Sequence, residues 1–178
     1  MSITLPNFTL VIGGAASGKS VVAERLALAT AAPLTYVATA QAYDDEMREK
    51  IALHQARRAG GWETVEAPLD LAPALDGAKD RVVLIDCFTL WLTNQILGEH
   101  DLADAEARLF AALDRADHVI GVTNEVGAGI VPENALARRF RGAQGRLNQS
   151  LAARADLVVT VIAGLPLVLK GQLPEGAL

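Results

Sequence analysis

Apart from two methionines, the sulfur chemistry of this 178-residue chain rests on a single cysteine, Cys87. One thiol excludes an internal disulfide and a multi-cysteine zinc site. Histidine is nearly as scarce, at three residues, and aromatic residues make up 4%. Positive charge is in deficit: 16 Lys and Arg stand against 21 Asp and Glu, a net charge of −5. That balance gives no global attraction to nucleic acid or to an anionic membrane, so any phosphate site must be a local basic pocket. No apolar run reaches the roughly 18 residues that would span a bilayer. The N-terminus lacks the basic stretch, apolar core and cleavage site of a secretory leader. These absences predict a cytoplasmic chain with no nucleic-acid partner and no stable membrane anchor.

Apolar residues, by contrast, are plentiful at 51%. The length suits one domain, residues 1–178, with a sizeable core. β-Branched apolar runs recur at Phe8–Ile12, Leu34–Ala38, Val82–Ile85, His118–Val122 and Leu157–Ile162. Helical patterns lie between most of them, over Lys19–Ala29, Asp44–Arg58, Thr89–Leu97, Ala103–Ala116 and Asn134–Ala153. Trp62–Glu66 reads as a further short strand. Strands that are apolar throughout and separated by helices predict an α/β fold, a mostly parallel sheet with helices on both faces. Gly98–Asp101 reads as a loop, and the tail from Gly171 as a poorly ordered terminus.

The first strand runs into Gly13-Gly14-Ala15-Ala16-Ser17-Gly18-Lys19-Ser20, which reads G-x4-G-K-S. Strand, glycine-rich loop and helix together are the context a phosphate-binding P-loop requires. Glycines let the backbone turn several N–H groups toward one anion, and the helix adds its positive N-terminal end. Lys19 is predicted to reach the β- and γ-phosphates and Ser20 to hold Mg²⁺. Val82-Val83-Leu84-Ile85-Asp86 is a buried strand ending in a carboxylate, which places Asp86 at the sheet's carboxyl edge as a second metal ligand. The pair predicts a RecA-like P-loop NTPase. Cys87 has no basic neighbour in sequence to activate it and reads as a small buried side chain.

The helix Asp44–Arg58 crowds acidic residues at its start and basic ones at its end, matching the macrodipole. His54, Arg57 and Arg58 stand at i, i+3 and i+4 and share a face. A neutral imidazole flanked by two guanidinium groups can attack an α-phosphate while the arginines hold its oxygens. On the pattern alone, a solvated helix end with a surface histidine is the simpler description. Glu66 by itself is an ordinary carboxylate. Thr123-Asn124-Glu125 and the glycine-rich stretch to Pro132 follow a strand, so they reach the P-loop edge, where polar residues usually contact ligands. Asn124 and Glu125 could orient substrate or water, or could cap the turn. The stretch lacks the N-K-x-D guanine signature, which argues against a GTP-dependent switch and leaves a plain small-molecule kinase as the nearer rival.

Several blocks in order resemble one family: the bifunctional adenosylcobinamide kinase and adenosylcobinamide-phosphate guanylyltransferase of cobalamin biosynthesis. They are Gly13–Ser20, Tyr36–Ala40, Asp45-Glu46-Met47 with His54 and Arg57-Arg58, Trp62–Glu66, Asp86-Cys87, Thr93-Asn94, Val122–Gly127, Gly129–Glu133, Arg138–Arg141 and Gly145–Gln149. The resemblance implies a kinase that phosphorylates adenosylcobinamide with a nucleoside triphosphate. It then implies GMP transfer from GTP through a guanylyl-histidine to adenosylcobinamide phosphate, giving adenosylcobinamide-GDP. ATP and GTP are the implied substrates, Mg²⁺ the cofactor and a homotrimer the assembly. Exposed apolar surface near Trp91 and Leu92 would suit such a trimer. By the same resemblance His54 carries the GMP, and GTP contacts fall on Gly13, Gly14, Ala15, Ala16, Ser17, Gly18, Lys19 and Ser20. Further contacts fall on Ala38, Thr39, Ala40, Gln55, Ala56, Arg57, Arg58, Glu66 and Asp86. Many of the family carry arginine where this chain has Ala16, so any phosphate contact from that arginine is absent here.

Overall fold

A strand that is apolar at every position needs cover on both of its faces. The computed structural model, which describes residues 2–41 and 60–177, supplies that cover with one sheet and helices on either side. The chain runs through β1 (Phe8–Gly13), α1 (Lys19–Ala29), β2 (Leu34–Ala38), β3 (Trp62–Glu66), α2 (Ala72–Asp76), β4 (Val82–Asp86) and α3 (Phe88–Leu97). It continues through α4 (Leu102–Leu113), β5 (Val119–Asn124), α5 (Ala135–Arg154), β6 (Leu157–Ile162) and β7 (Leu165–Lys170). The seven strands lie in the order β3-β2-β4-β5-β1-β6-β7. All neighbours pair in parallel except β7, which is antiparallel to β6. The helix expected over Asp44–Arg58 lies outside the described residues. Among the described residues, no helix is long and apolar enough to cross a membrane.

Alternation along the strands divides the core in two. Leu10, Val83, Ile85, Val119 and Val158 pack on one face with Phe88, Trp91 and Leu92 of α3, Leu109 of α4, and Leu147 and Leu151 of α5. Val11, Leu84, Ile120, Val122 and Val159 pack on the other face with Val22, Ala23 and Leu26 of α1. Trp91 and Leu92, 1% and 0% exposed, are therefore core residues and offer no surface to a partner. Their helix is largely apolar and mostly buried. The tail is also placed differently from the expectation of disorder. Leu173 and Ala177 fold back onto the α1 face, beside Ile3 and Leu5 from the other terminus.

Two elements were not legible in the sequence. The short helix α2 begins at Ala72 with Pro73 in its first turn. Strand β7 follows β6 through Ala163 and Gly164, whose φ values of 53° and 78° are what a two-residue type I′ hairpin demands. Its alternate residues Leu165, Leu167 and Leu169 are exposed, and Pro166 is tolerated because β7 is an edge strand. Elsewhere boundaries shift by at most one residue, except by two at the end of β5 and by three at the end of α4. Asp101 and Asn134 accept two backbone N–H bonds each and cap α4 and α5.

Gly121 in the central strand β5 faces α3, and Phe88 occupies the room a side chain there would take. A Cβ at 121 would lie 2.2 Å from the Phe88 ring. That ring is fully buried and packs edge-on against Phe8 at 6.4 Å. Gly121→Ala is expected to destabilise the chain by about 1–3 kcal/mol, the usual cost of overpacking. Urea unfolding checks this: the midpoint should fall without a change in slope. An unchanged midpoint would mean that the ring has room to move.

Candidate nucleotide site

Parallel strands deliver their last residues to one edge. Gly13 pairs with Asn124, Val122 with Asp86, Asp86 with Ala38, and Ala38 with Glu66. Strand β5 thus lies between the P-loop strand and the strand that carries Asp86. At about 4.8 Å per strand, the edge from Gly13 to Glu66 is about 19 Å long. Ligands in open α/β sheets bind in this position, outside the carboxyl ends.

The loop at one end of that edge can cradle an anion only if its N–H groups turn inward, so its carbonyls must be satisfied elsewhere. Gly13 O accepts from the Glu125 N–H at 3.0 Å, and Ser17 O from the Gly164 N–H at 2.8 Å. Gly14 O accepts from the Ser17 N–H and from Lys19 Nζ, and Gly18 O from the Val22 N–H. Positive φ at Ala16 and Gly18, 54° and 93°, curls the segment. Helix α1 has no side-chain cap and no acidic residue in its first turn, so its leading N–H groups face the same cradle. The hairpin turn of β6 and β7 closes over the loop: a Cβ at 18 would lie 3.1 Å from Gly164 Cα. The sequence reading missed this clamp, and the Ala163-Gly164 pair was its one signal.

Asp86 is half-buried, and its Oδ2 accepts from the Tyr36 phenol at 2.9 Å. Next to it the Cys87 thiol is pushed up to about 12, first by burial and then by the Asp86 carboxylate, with Lys19 acting weakly in the opposite sense. Such a thiol stays protonated at neutral pH and is no nucleophile, as its sequence context suggested.

Thr39 is fully buried, and its hydroxyl accepts from the Cys87 N–H at 2.8 Å and donates to Cys87 O at 2.7 Å. It therefore ties β2 to β4. Helix α3 reinforces that tie through polar residues within an otherwise apolar sequence. Asn94 Nδ2 donates to Thr39 O at 2.8 Å and to Pro68 O at 2.9 Å, and Gln95 Nε2 and Trp91 Nε1 donate to Leu69 O. Ala38, Ala40 and the exposed Glu66 are thus held at the far end of the edge from the P-loop. His54, Gln55, Ala56, Arg57 and Arg58 lie outside the described residues. Of the other histidines, His118 precedes β5 at the opposite edge of the sheet, about 20 Å from the carboxyl ends at 3.3 Å per residue. His100 lies between α3 and α4.

The loop after β5 is organised by α5. Arg141 donates to Gly127 O, and Arg138 to Pro132 O and Glu133 O. Glu125 accepts from the Gly127 N–H, so it is Glu125 that caps the turn.

Residues 9–169 match the model of the family described as cobinamide kinase / cobinamide phosphate guanyltransferase. The chain is 44% identical to the bifunctional adenosylcobalamin biosynthesis protein CobP of Pseudomonas aeruginosa over 168 residues, 92% of this chain and 97% of that one. It is 41% identical to the bifunctional adenosylcobalamin biosynthesis protein CobU of Salmonella typhimurium over 179 residues, 90% of this chain and 98% of that one. Among solved structures, the ATPase EscN of an enteropathogenic E. coli type III secretion system superposes with a TM-score of 0.53 at 13% identity. That superposition covers 89% of this chain and 43% of the ATPase. It supports the α/β P-loop NTPase fold.

The cradle makes one position testable without knowing the reaction. A Cβ on Gly13 would lie 2.4 Å from Ser17 Oγ and 2.7 Å from Val161 O. Gly13→Ala should therefore displace the loop, at about 1–3 kcal/mol, and weaken triphosphate binding by about 5- to 150-fold. Titration calorimetry with GTP checks this, and wild-type affinity would show that the loop accommodates the methyl group.

Proposed function

Because this chain belongs to the cobinamide kinase / cobinamide phosphate guanyltransferase family, we propose that it carries out both of that family's reactions on one domain. It phosphorylates adenosylcobinamide with a nucleoside triphosphate, ATP or GTP. It then takes GMP from GTP onto His54, releasing pyrophosphate, and passes GMP to adenosylcobinamide phosphate. The observation that carries this reading is the coincidence of the family match over residues 9–169 with a sheet edge that brings the Gly13–Ser20 loop and Asp86 to the same side.

In this reading the Gly13–Ser20 amides and Lys19 bind the β- and γ-phosphates, while Ala38, Thr39, Ala40 and Glu66 frame the remainder of the nucleotide. Thr39 acts by holding its neighbours, since its own hydroxyl is committed to Cys87. Gln55, Ala56, Arg57 and Arg58 complete the GTP contacts, and the two arginines bear on the phosphate oxygens as His54 attacks. Ser20 and Asp86 suit Mg²⁺, being hard oxygen donors. Among the described residues, no group of three His, Cys, Asp or Glu could hold a metal by itself, so the cation would also lean on phosphate oxygens and water. When bound, Mg²⁺ supplies charge neutralisation at the phosphates. Among the exposed apolar residues that a trimer of the kind the resemblance implies could cover are Ile130, Val131 and Leu136.

Exposure to α-labelled GTP and Mg²⁺ followed by intact-protein mass measurement tests the covalent step. One guanylyl group should add to the chain through a phosphoramidate, labile in acid and stable in alkali. His54→Ala should lose the label and keep part of the kinase activity, since direct phosphoryl transfer needs no protein nucleophile. Lys19→Ala should lose kinase activity and triphosphate binding with the fold intact. Full labelling of His54→Ala would refute the assignment, and undiminished kinase activity in Lys19→Ala would remove the P-loop from the reaction.

A further inference from the structure

Asn124 ends β5, the strand between the P-loop strand and the Asp86 strand. Its backbone is held on three sides. The N–H donates to Thr89 Oγ1 at 2.8 Å, the C=O accepts from Asn148 Nδ2 at 3.0 Å, and the next N–H, of Glu125, donates to Gly13 O. Behind it lies a buried polar network. Thr123 Oγ1 donates to Asn148 Oδ1 at 2.7 Å, and Gln144 Nε2 donates to both Thr123 Oγ1 and Asn148 Oδ1, at 3.0 and 2.8 Å. Gln144, Thr123 and Asn148 are 0%, 0% and 7% exposed. Against this fixed backbone, the Asn124 side-chain oxygen is buried and finds no hydrogen-bond partner among the described residues.

A buried oxygen without a partner costs about 1–3 kcal/mol, and such groups are rare enough to need a reason. Turn capping is not the reason, because Glu125 does that. The orphaned atom is the amide oxygen, an acceptor, whereas the cradle beside it is made of donors: Lys19, the loop amides and the first turn of α1. Phosphate oxygens, themselves acceptors, would satisfy the cradle and repel the Asn124 oxygen. What this oxygen needs is a hydroxyl brought to the phosphates by the second substrate.

We propose that Asn124 accepts a hydrogen bond from the acceptor hydroxyl in the kinase step, with Thr123, Gln144 and Asn148 as the residues that position it; this rests on the kinase reading above. The hydroxyl oxygen bonds to the γ-phosphorus as the bond from that phosphorus to the β–γ bridging oxygen breaks. The nucleoside diphosphate leaves, and the hydroxyl proton passes to an oxygen of the transferred phosphoryl group. Asn124 takes no proton; it aims the lone pair of the attacking oxygen by holding its hydrogen. Self-guanylylation, whose attacking group is a histidine nitrogen, does not use this contact.

The test compares wild type, Asn124→Ala and Asn124→Asp in three measurements: phosphorylation of adenosylcobinamide, titration with GTP, and labelling by α-labelled GTP. In Asn124→Ala, kcat for phosphorylation should fall about 10²-fold or more, the scale for losing one preorganised contact. Triphosphate affinity and the labelling rate should stay within about threefold of wild type, as expected for an interaction made only with the attacking group. Asn124→Asp keeps an acceptor oxygen and should recover most of the rate. Thermal stability should not fall in Asn124→Ala, because the oxygen makes no hydrogen bond among the described residues. Asn148→Ala should lower kcat to a smaller degree with the KM values unchanged. Unchanged kcat in Asn124→Ala, or parallel loss of triphosphate affinity and labelling, would overturn the inference; the second result would assign Asn124 to the nucleotide or its metal instead. Absence of phosphorylation in wild type itself would overturn the kinase reading, and this inference with it.

Discussion

Everything at this sheet edge depends on where the carbonyls of one loop point. A backbone segment can offer its N–H groups to an anion only when its own oxygens are bonded away from it. Three separate parts of the chain meet that need in the Gly13–Ser20 loop. Strand β5 takes the Gly13 carbonyl through Glu125, the β6–β7 turn takes the Ser17 carbonyl through Gly164, and α1 takes the Gly18 carbonyl through Val22. Gly13 itself has no room for a side chain against Ser17 and Val161. The shape of this loop is thus a property of the tertiary fold as much as of eight consecutive residues.

Similar bracing runs along the rest of the edge. Thr39 locks β2 to β4, and Asn94 and Gln95 of α3 hold the segments leaving β2 and β3. Gln144 and Asn148 of α5 hold the end of β5. These polar side chains are buried among apolar ones, where each hydrogen bond they make counts for more than it would in water. Their placement explains why two helices that supply much of the core carry amides at all. A preorganised edge of this kind suits phosphoryl transfer, in which catalysis is mostly positioning and charge stabilisation.

Much of this was legible in the sequence, for a physical reason in each case. Five of the six parallel strands and the helices around the P-loop were readable because buried strands are mostly apolar and helices repeat at 3.6 residues, whereas β3 is short and largely exposed. Lys19, Ser20 and Asp86 were readable because short motifs fix them relative to a strand end. Strand β7 was not, since Pro166 and an outward-facing leucine stripe resemble neither a buried strand nor a polar one. The burial of Trp91 and Leu92 was not legible because a largely apolar helix does not announce which side is covered. Asn94, Asn124 and Gln144 each make contacts with partners 21 to 55 residues away, which local pattern cannot supply.

The most direct measurement follows the corrinoid itself. Adenosylcobinamide is incubated with the chain, ATP, GTP and Mg²⁺, and the corrinoid mass is recorded over time. Adenosylcobinamide phosphate should form first and adenosylcobinamide-GDP after it, with the reaction halting at the phosphate when ATP is the sole nucleotide. Consumption of the triphosphates with the corrinoid mass unchanged would contradict the assignment of both reactions to this site.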